Sequence, residues 1–372
     1  MVYLIMLWFS LIIVGHTNHI KRNIVYNINP KIGLKFLAAS FPFWFITIFR
    51  YDVGTDYMQY LYGYYYEGIG ESREKEIVFQ SLIDFSHYIN FPFFMITLFG
   101  TLVCFNTFYL IYKLSPNIKQ SVILFFLSGF FFISLCMMRQ AASTSLFFIA
   151  LIFFLRRNYI IYFTITILCY FLHSTGGVYV LLGIIFILFD KIPCLLKLLK
   201  PKFLLLVTIL IYVCGNLLRS QLMMLTQSIG IYGGYFGSDQ DSQNSSGTFL
   251  IFGLTPFISY LLASLNNKGI NDMVSGYRIK YIIFVIISWL SMISGILRSL
   301  IPNGERIIFL FEPISIISIP FFVKFTNSRF KRKSLYMSYL FFAVCVFWYF
   351  YYSRALDMFP YHTIFSTDLN IW

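Results

Sequence analysis

Arginine is the residue type in this sequence that is best suited to hold a charged ligand. The planar guanidinium is always charged and can bond two oxygens of one phosphate group, which a lysine ammonium does not do. Such arginines fall at the ends of apolar runs, and they are Arg50, Arg139, Arg298, Arg306 and Arg354. We expect them to share an anionic ligand. The alternative for each is a side chain that only reaches the membrane interface.

Arg139 has the most informative setting. The stretch MMRQAASTSLFF starts a predicted helix with Arg139 and Gln140, followed by small residues that let neighbouring helices approach closely. The N-terminus of a helix attracts phosphate, because its first N–H groups have no partner within the helix. The sequence therefore predicts a phosphate position here. A buried arginine paired with an acid is the alternative.

Two further residues have the chemistry of a proton acceptor. His173 ends the apolar run IIYFTITILCYFLHSTGG, where it could act as a general base or bond a phosphate or sugar. Glu305 directly precedes Arg306 at the start of another helix, where it could orient arginines or act as the base. A capping or core role for His173 and a local ion pair for Glu305 are the alternatives.

The loop YDVGTDYMQYLYGYYYEG is dense in tyrosines. Aromatic faces stack on sugar rings and phenol groups bond sugar hydroxyls, so Asp56, Tyr57 and Tyr60 are candidate sugar-binding residues. A tyrosine belt at the membrane interface is the alternative. The next stretch, EIVFQSLIDFSHYI, has apolar residues at helical spacing and predicts an amphipathic helix on the outer face.

The composition predicts a membrane protein around these residues. Of 372 residues, 59% are hydrophobic and only 12% are charged, and the mean hydropathy is +0.75. A soluble domain is about 45–50% apolar and about 25% charged. The apolar runs are long enough to cross a membrane as helices and do not alternate as barrel strands would. The predicted class is an all-α, polytopic integral membrane protein.

We predict about twelve transmembrane helices in a single transmembrane domain spanning residues 1–372. The predicted helices lie near residues 2–15, 32–49, 91–112, 120–138, 140–155, 158–173, 176–189, 202–217, 248–265, 280–297, 306–323 and 334–352. The longest loops, 50–90 and 218–247, are predicted outside. Most of the 28 lysines and arginines fall in one set of alternate loops, which places those loops in the cytoplasm and both termini outside.

Several function classes are not indicated by the sequence. The six cysteines lack the spacing of a metal site or a disulfide framework, and neither a nucleotide-binding loop nor a zincin motif occurs. We therefore expect neither a cofactor nor a metal ion. The net charge of +13 is explained by the cytoplasmic loops, so nucleic acid is not an expected partner.

Six short motifs together resemble the EpsG family, relatives of the Wzy-type polymerases of O-antigen, capsule and exopolysaccharide. They are RYDVGTDYMQY, EIVFQSLIDF, MRQAASTSLF, FLHSTGG, GERIIFLF and FPYHTIF, in this order over nearly the whole chain. The resemblance implies an enzyme of the bacterial cytoplasmic membrane that joins undecaprenyl-diphosphate-linked oligosaccharide repeat units on the outer face. An acceptor sugar hydroxyl attacks the anomeric carbon of the donor glycan, and the lipid diphosphate leaves. We expect a GT-C-like glycosyltransferase architecture for such an enzyme.

That chemistry gives each candidate residue an expected role. The expected catalytic residues are His173, Arg139 and Glu305. The expected diphosphate-binding residues are Arg50, Arg139, Arg298, Arg306 and Arg354. The expected sugar-binding residues are Asp56, Tyr57, Tyr60, Gln140 and Tyr361. The expected partners are the lipid-linked repeat units, membrane lipid, a flippase and a chain-length regulator.

Other functions remain open at this point. A flippase for the same lipid-linked unit also needs about a dozen helices and cationic residues, although its cations belong in a cavity at mid-membrane. A membrane O-acyltransferase of envelope glycans commonly carries an early histidine, and His16 and His19 are early but predicted in a cytoplasmic loop. A solute transporter would need more charges within the helices than we find.

Overall fold

The chain is helical throughout the part that the structure, a computed structural model, describes. The described residues are 1–15, 30–65, 77–218, 221, 247–265, 267–297, 305–326, 329–353, 357–358 and 360–365. Within them there is no strand, and one isolated antiparallel bridge joins Arg50 to Thr363. The predicted all-α class is confirmed.

The helices follow the apolar runs of the sequence closely. In chain order they are α1 Val2–Gly15, α2 Pro30–Ile48, α3 Tyr57–Tyr65, α4 Ile77–Tyr88, α5 Phe94–Leu114, α6 Ile118–Leu127, α7 Phe130–Cys136, α8 Met138–Leu155, α9 Tyr159–Leu172, α10 Gly177–Lys191, α11 Pro201–Leu217, α12 Gly247–Ser264, α13 Asn267–Leu297, α14 Glu305–Phe311, α15 Ser315–Lys324 and α16 Arg329–Ser353. Short 3₁₀ turns occupy Ser174–Gly176, Pro193–Leu199 and Glu312–Ile314.

Among the described residues, five helical segments are long and apolar enough to cross a membrane. They are Phe94–Leu114, Met138–Leu155, Ser174–Lys191, Tyr277–Leu297 and Arg306–Lys324. The pair α6 and α7, bent by 45°, makes a sixth if it is one span. The chain is thus a membrane protein, whereas the count of twelve spans and the GT-C-like architecture are not confirmed.

Three predicted helices differ in shape from the expectation. The run predicted at 120–138 is broken at Gly129, which is left-handed with φ +89°. The run predicted at 306–323 is interrupted by the 3₁₀ turn that contains Pro313, because proline lacks the N–H that an α-helix needs. The helix predicted at 280–297 begins earlier, at Asn267, and is kinked at Tyr277.

The chain divides into two compact units. The first unit is Met1–Gly183 with Leu340–Trp372, and the second unit is Ile184–Tyr339. In the first unit α5 packs between α2 and α8, and α8 also packs on α9. In the second unit α13 packs on α12 and α14. The prediction of one transmembrane domain over residues 1–372 stays a prediction.

Small residues let α8 and α9 approach closely, as their sequence led us to expect. Ser143 Oγ donates to the carbonyl of Cys169 at 3.2 Å, and Cys169 Sγ donates back to the carbonyl of Ser143 at 3.3 Å. A Cβ on Gly176 would lie 2.7 Å from Ser143 Oγ. Beyond this contact the hydroxyls of Thr144 and Tyr179 meet at 2.8 Å. The start of α8 is therefore held rigidly beside the end of α9.

Candidate functional site

A helix break lies at the centre of the candidate site. Helix α7 ends at Cys136 and α8 begins at Met138, so the two are separated at Met137. In an uninterrupted helix the carbonyl of Leu135 would accept from the N–H of Arg139, four residues later. Here Leu135 instead accepts from Arg50 Nη1 at 2.6 Å, and the N–H of Arg139 donates to the hydroxyl of Tyr60 at 3.3 Å. The motif RYDVGTDYMQY thus supplies partners to both halves of the broken bond.

Arg50 is fully buried and bonded within the protein. Besides its bond to Leu135, Nη1 donates to the carbonyl of Val53 at 3.1 Å, and Nη2 donates to Met138 Sδ at 2.7 Å. Burial lowers the pKa of the guanidinium, although arginine stays charged at physiological pH. The structure therefore places Arg50 as the residue that ties the loop after α2 to both sides of the helix break.

Gly54 makes this arrangement sterically possible. Its φ is +98°, a left-handed conformation that costs other residues free energy. A Cβ on Gly54 would collide with the carbonyl oxygen of Leu135, the atom that accepts from Arg50. The glycine N–H donates to the carbonyl of Asp357 at 3.1 Å. Glycine is therefore required for the loop to approach the helix break.

The C-terminal motif FPYHTIF pairs with the same loop. The N–H of Tyr51 donates to the carbonyl of His362 at 3.0 Å, and the N–H of Ile364 donates to the carbonyl of Phe49 at 3.1 Å. The hydroxyl of Tyr361 donates to the carbonyl of Ile46 at 2.8 Å, and burial raises the pKa of this phenol to about 12. Tyr361 therefore fastens the end of the chain to α2.

Tyr57 lies in the core beneath the loop. It is fully buried, and its hydroxyl donates to the carbonyl of Arg50 at 3.0 Å. Its ring packs in one cluster with Met138, Ala142 and Leu172, which belong to α8 and α9. The placements of Tyr57 and Tyr361 favour structural roles over contact with a sugar.

The guanidinium of Arg139 is the half-buried positive charge at the start of α8. Its guanidinium carbon lies 4.3 Å from the centroid of the Phe79 ring in α4, and its side chain is half-buried. A cation over an aromatic face is stabilised by the negative potential of the ring. Burial raises the pKa of the Tyr60 phenol beside it, and the charge of Arg139 opposes that rise. The phenol is therefore neutral at physiological pH and can donate or accept a hydrogen bond.

The first turn of α8 adds main-chain donors to this cation. Helix α8 has no side-chain cap from Met137, and in its first turn the N–H of Arg139 donates to the hydroxyl of Tyr60. Gln140 is almost fully buried in this turn. Asp56 is half-buried at the start of α3, where its carbonyl accepts from the N–H of Tyr60 at 3.3 Å. The guanidinium of Arg139 is suited to bind an anion, and the polar side chains of Gln140 and Asp56 are suited to bind a polar group attached to that anion.

His173 lies at the same end of the first unit. Helices α8 and α9 run antiparallel, so the end of α9 is beside the start of α8, and Leu172 packs in the cluster that contains Met138. His173 Nδ1 and Thr175 Oγ1 are 2.7 Å apart, and the imidazole is half-buried. This contact fixes the orientation of the ring. A histidine so held is a chemically reasonable general base.

The remaining candidates are elsewhere or outside the described residues. Arg306 is exposed in the second unit, in the first turn of α14 that Glu305 begins. Arg298 and Arg354 lie outside the described residues. Of the described chain, no group of three or more His, Cys, Asp and Glu side chains could hold a metal ion. Sequence reasoning missed Phe79, although the motif EIVFQSLIDF contains it.

The family comparison matches a range of the chain that contains almost all of this site. The model of the EpsG family matches residues 34–363. The chain belongs to the EpsG family. EpsG is a family of Wzy-like polymerases, which makes this EpsG-family chain, in general terms, a polysaccharide polymerase of the membrane. The match includes the loop after α2, the helix break and the C-terminal pairing segment up to Thr363. No curated protein and no solved structure matches the sequence.

Proposed function

We propose that this EpsG-family protein joins oligosaccharide repeat units carried on undecaprenyl diphosphate, at the outer face of the bacterial cytoplasmic membrane. The observation that carries the proposal is the placement of Arg139. Arg139 lies in the first turn of the long apolar helix α8, at the positive end of the helix dipole, and its guanidinium lies over the ring of Phe79 in α4. Fixed positive charge and N–H dipoles at one point are what a diphosphate leaving group needs.

The proposed reaction exchanges one bond at the anomeric carbon for another. The acceptor hydroxyl forms a new C–O bond to this carbon, and the bond from the carbon to the phosphate oxygen breaks. The electron pair of the broken bond leaves with the lipid diphosphate, whose growing charge is stabilised by Arg139 and the first turn of α8. The proton of the acceptor hydroxyl passes to His173.

The other residues support this geometry in different ways. Arg50 positions the helix break and so aims the first turn of α8, although it does not itself need to contact the diphosphate. Tyr60 and Asp56 are the proposed sugar contacts, with Gln140 behind them. Arg298, Arg306 and Arg354, with Glu305, are retained as further diphosphate-binding or catalytic candidates. A flippase and a chain-length regulator are the proposed partners.

The experiment is reconstitution of the purified protein with lipid-linked repeat units and no other enzyme. We expect a ladder of polymer lengths on a gel. The same protein is also assayed in liposomes that carry labelled lipid-linked units on both leaflets. In this second assay, the movement of the units from one leaflet to the other is measured. Movement of the units without a ladder would reject the polymerase and favour a flippase.

A further inference from the structure

The second unit contains a carboxyl group inside an apolar span. Glu312 is 2% exposed, and its Oε1 accepts from the hydroxyl of Ser315 at 2.8 Å. Its Oε2 is buried and, among the residues that the structure describes, has no hydrogen-bond partner. An ionisable side chain within a membrane span is costly and is generally retained for a function. Glu312 is far in sequence from the residues of the first unit and needs its own explanation.

The span is interrupted at this carboxyl group. The 3₁₀ turn Glu312–Ile314 separates α14 from α15, and Pro313 interrupts the regular ladder of α-helical hydrogen bonds. Interrupted membrane helices occur where main-chain and side-chain oxygens coordinate an ion. The break beside a buried carboxyl group resembles such ion sites.

Serine hydroxyls on the neighbouring helices are also buried without a partner in the described part of the chain. They belong to Ser288 and Ser291 in α13 and to Ser318 in α15. By contrast, Ser294, one turn after Ser291, donates to the main-chain carbonyl four residues before it at 2.7 Å. Return bonds of that kind are the usual way for a helical serine to be satisfied. The three unpartnered hydroxyls instead remain available to a ligand.

These oxygens belong to elements that pack on one another. Ser291 lies six residues before the end of α13 at Leu297, and Glu312 lies seven residues after the start of α14 at Glu305. At about 1.5 Å per residue, both are about 9–10 Å from the ends that residues 298–304 connect. Helix α13 packs on α14 and on the 3₁₀ turn itself. The i, i+3 spacing of Ser288 with Ser291 keeps both hydroxyls on one side of α13.

We propose that Glu312, Ser315, Ser288 and Ser291 form a binding site for a monovalent alkali cation of the size of sodium. All donors are hard oxygens, which favours an alkali or alkaline-earth ion over a transition metal. A single carboxylate balances a single positive charge, whereas divalent cations are normally bound by more than one. A bound cation stabilises the charged form of the buried carboxyl group, which the apolar interior otherwise keeps protonated. A bound ion would connect α13 to the 3₁₀ turn between α14 and α15.

The test is the thermal stability of the purified full-length protein in detergent, with NaCl exchanged for choline chloride at constant ionic strength. We expect sodium to raise Tm by several degrees, since a ligand that binds the folded state stabilises it. The variant Glu312→Gln, which keeps the size of the side chain but loses its charge, should lose this response. Equal Tm values in sodium and choline for the unmodified protein would overturn the proposal.

Two milder variants test the proposal even if Glu312→Gln does not fold. Ser291→Ala removes a proposed ligand and should shift the sodium concentration of half-maximal stabilisation upwards about tenfold. Ser294→Ala removes a hydroxyl that is bonded within its own helix and should leave the sodium response unchanged. Equal sodium responses of the two variants would reject the site. Saturable binding of radioactive sodium by the unmodified protein provides a direct second readout, and its absence would also reject the site.

Discussion

Replacement of Gly54 by alanine tests whether the loop after α2 positions the helix break. Alanine in the left-handed region costs roughly 1–2 kcal/mol. In addition, the new Cβ collides with the carbonyl of Leu135, so the loop or the carbonyl must move. That movement weakens the bond from Arg50 Nη1, and a hydrogen bond to a charged group contributes about 1.5–3 kcal/mol. The total expected loss of stability is therefore about 2.5–5 kcal/mol.

The matched control is Gly15→Ala in the same unit. A Cβ there would lie 3.5 Å from Lys119 Nζ, an ordinary contact with a flexible side chain, and φ at Gly15 is outside the left-handed region. We expect its stability to stay within about 0.5 kcal/mol of the unmodified protein. Thermal unfolding in detergent would measure both variants, and the expected drop of Tm for Gly54→Ala is about 10 °C. A Gly54→Ala protein with unchanged Tm and an unchanged polymer ladder would refute the reasoning.

Three further substitutions probe the candidate site. Tyr60→Phe removes the acceptor of the Arg139 N–H and should cost about 1 kcal/mol of stability, read by thermal unfolding; unchanged Tm would show that the bond is dispensable. Phe79→Leu removes the aromatic face under the cation, worth about 0.5–2 kcal/mol, so initial polymerisation rates should fall several-fold, and equal rates would contradict this. His173→Gln should lower the rate by about 10²-fold or more, and an unchanged rate would exclude His173 as the base.

The sequence predicted the helices better than it predicted the breaks within them. Apolar runs determine where a membrane helix lies, so the bounds of α1 and α8 differ little from expectation. The separation of α7 from α8 lies where the predicted helices 120–138 and 140–155 meet, whereas the break at Gly129 was not predicted. The hydrogen bonds at that separation come from Arg50 and Tyr60, which are far away in the chain. A hydrophobicity pattern carries no information about such long-range hydrogen bonds.

The candidate site was predicted in part. The sequence predicted a shared ligand for arginines at helix ends, which stays a prediction, and the structure brings the polar cluster of RYDVGTDYMQY to the start of α8. The sequence could not predict that the side chains of Arg50, Tyr57 and Tyr361 are buried. In the structure these side chains donate to main-chain carbonyls and so hold the fold together. The interruption at Glu312 was not predicted, although Pro313 directly after it is a residue that breaks helices.

The most direct test of the central claim is the polymer ladder made by Arg139→Lys beside that of Arg156→Lys. Both substitutions keep the positive charge and remove the planar guanidinium, and Arg156 caps the opposite end of the same helix, where its side chain is exposed. We expect Arg139→Lys to lower the rate of ladder formation by about 10²-fold, as loss of a fixed donor to a developing negative charge does. Arg156→Lys should form the ladder at the unmodified rate. Equal ladders from the two variants would contradict the assignment of Arg139 to the diphosphate.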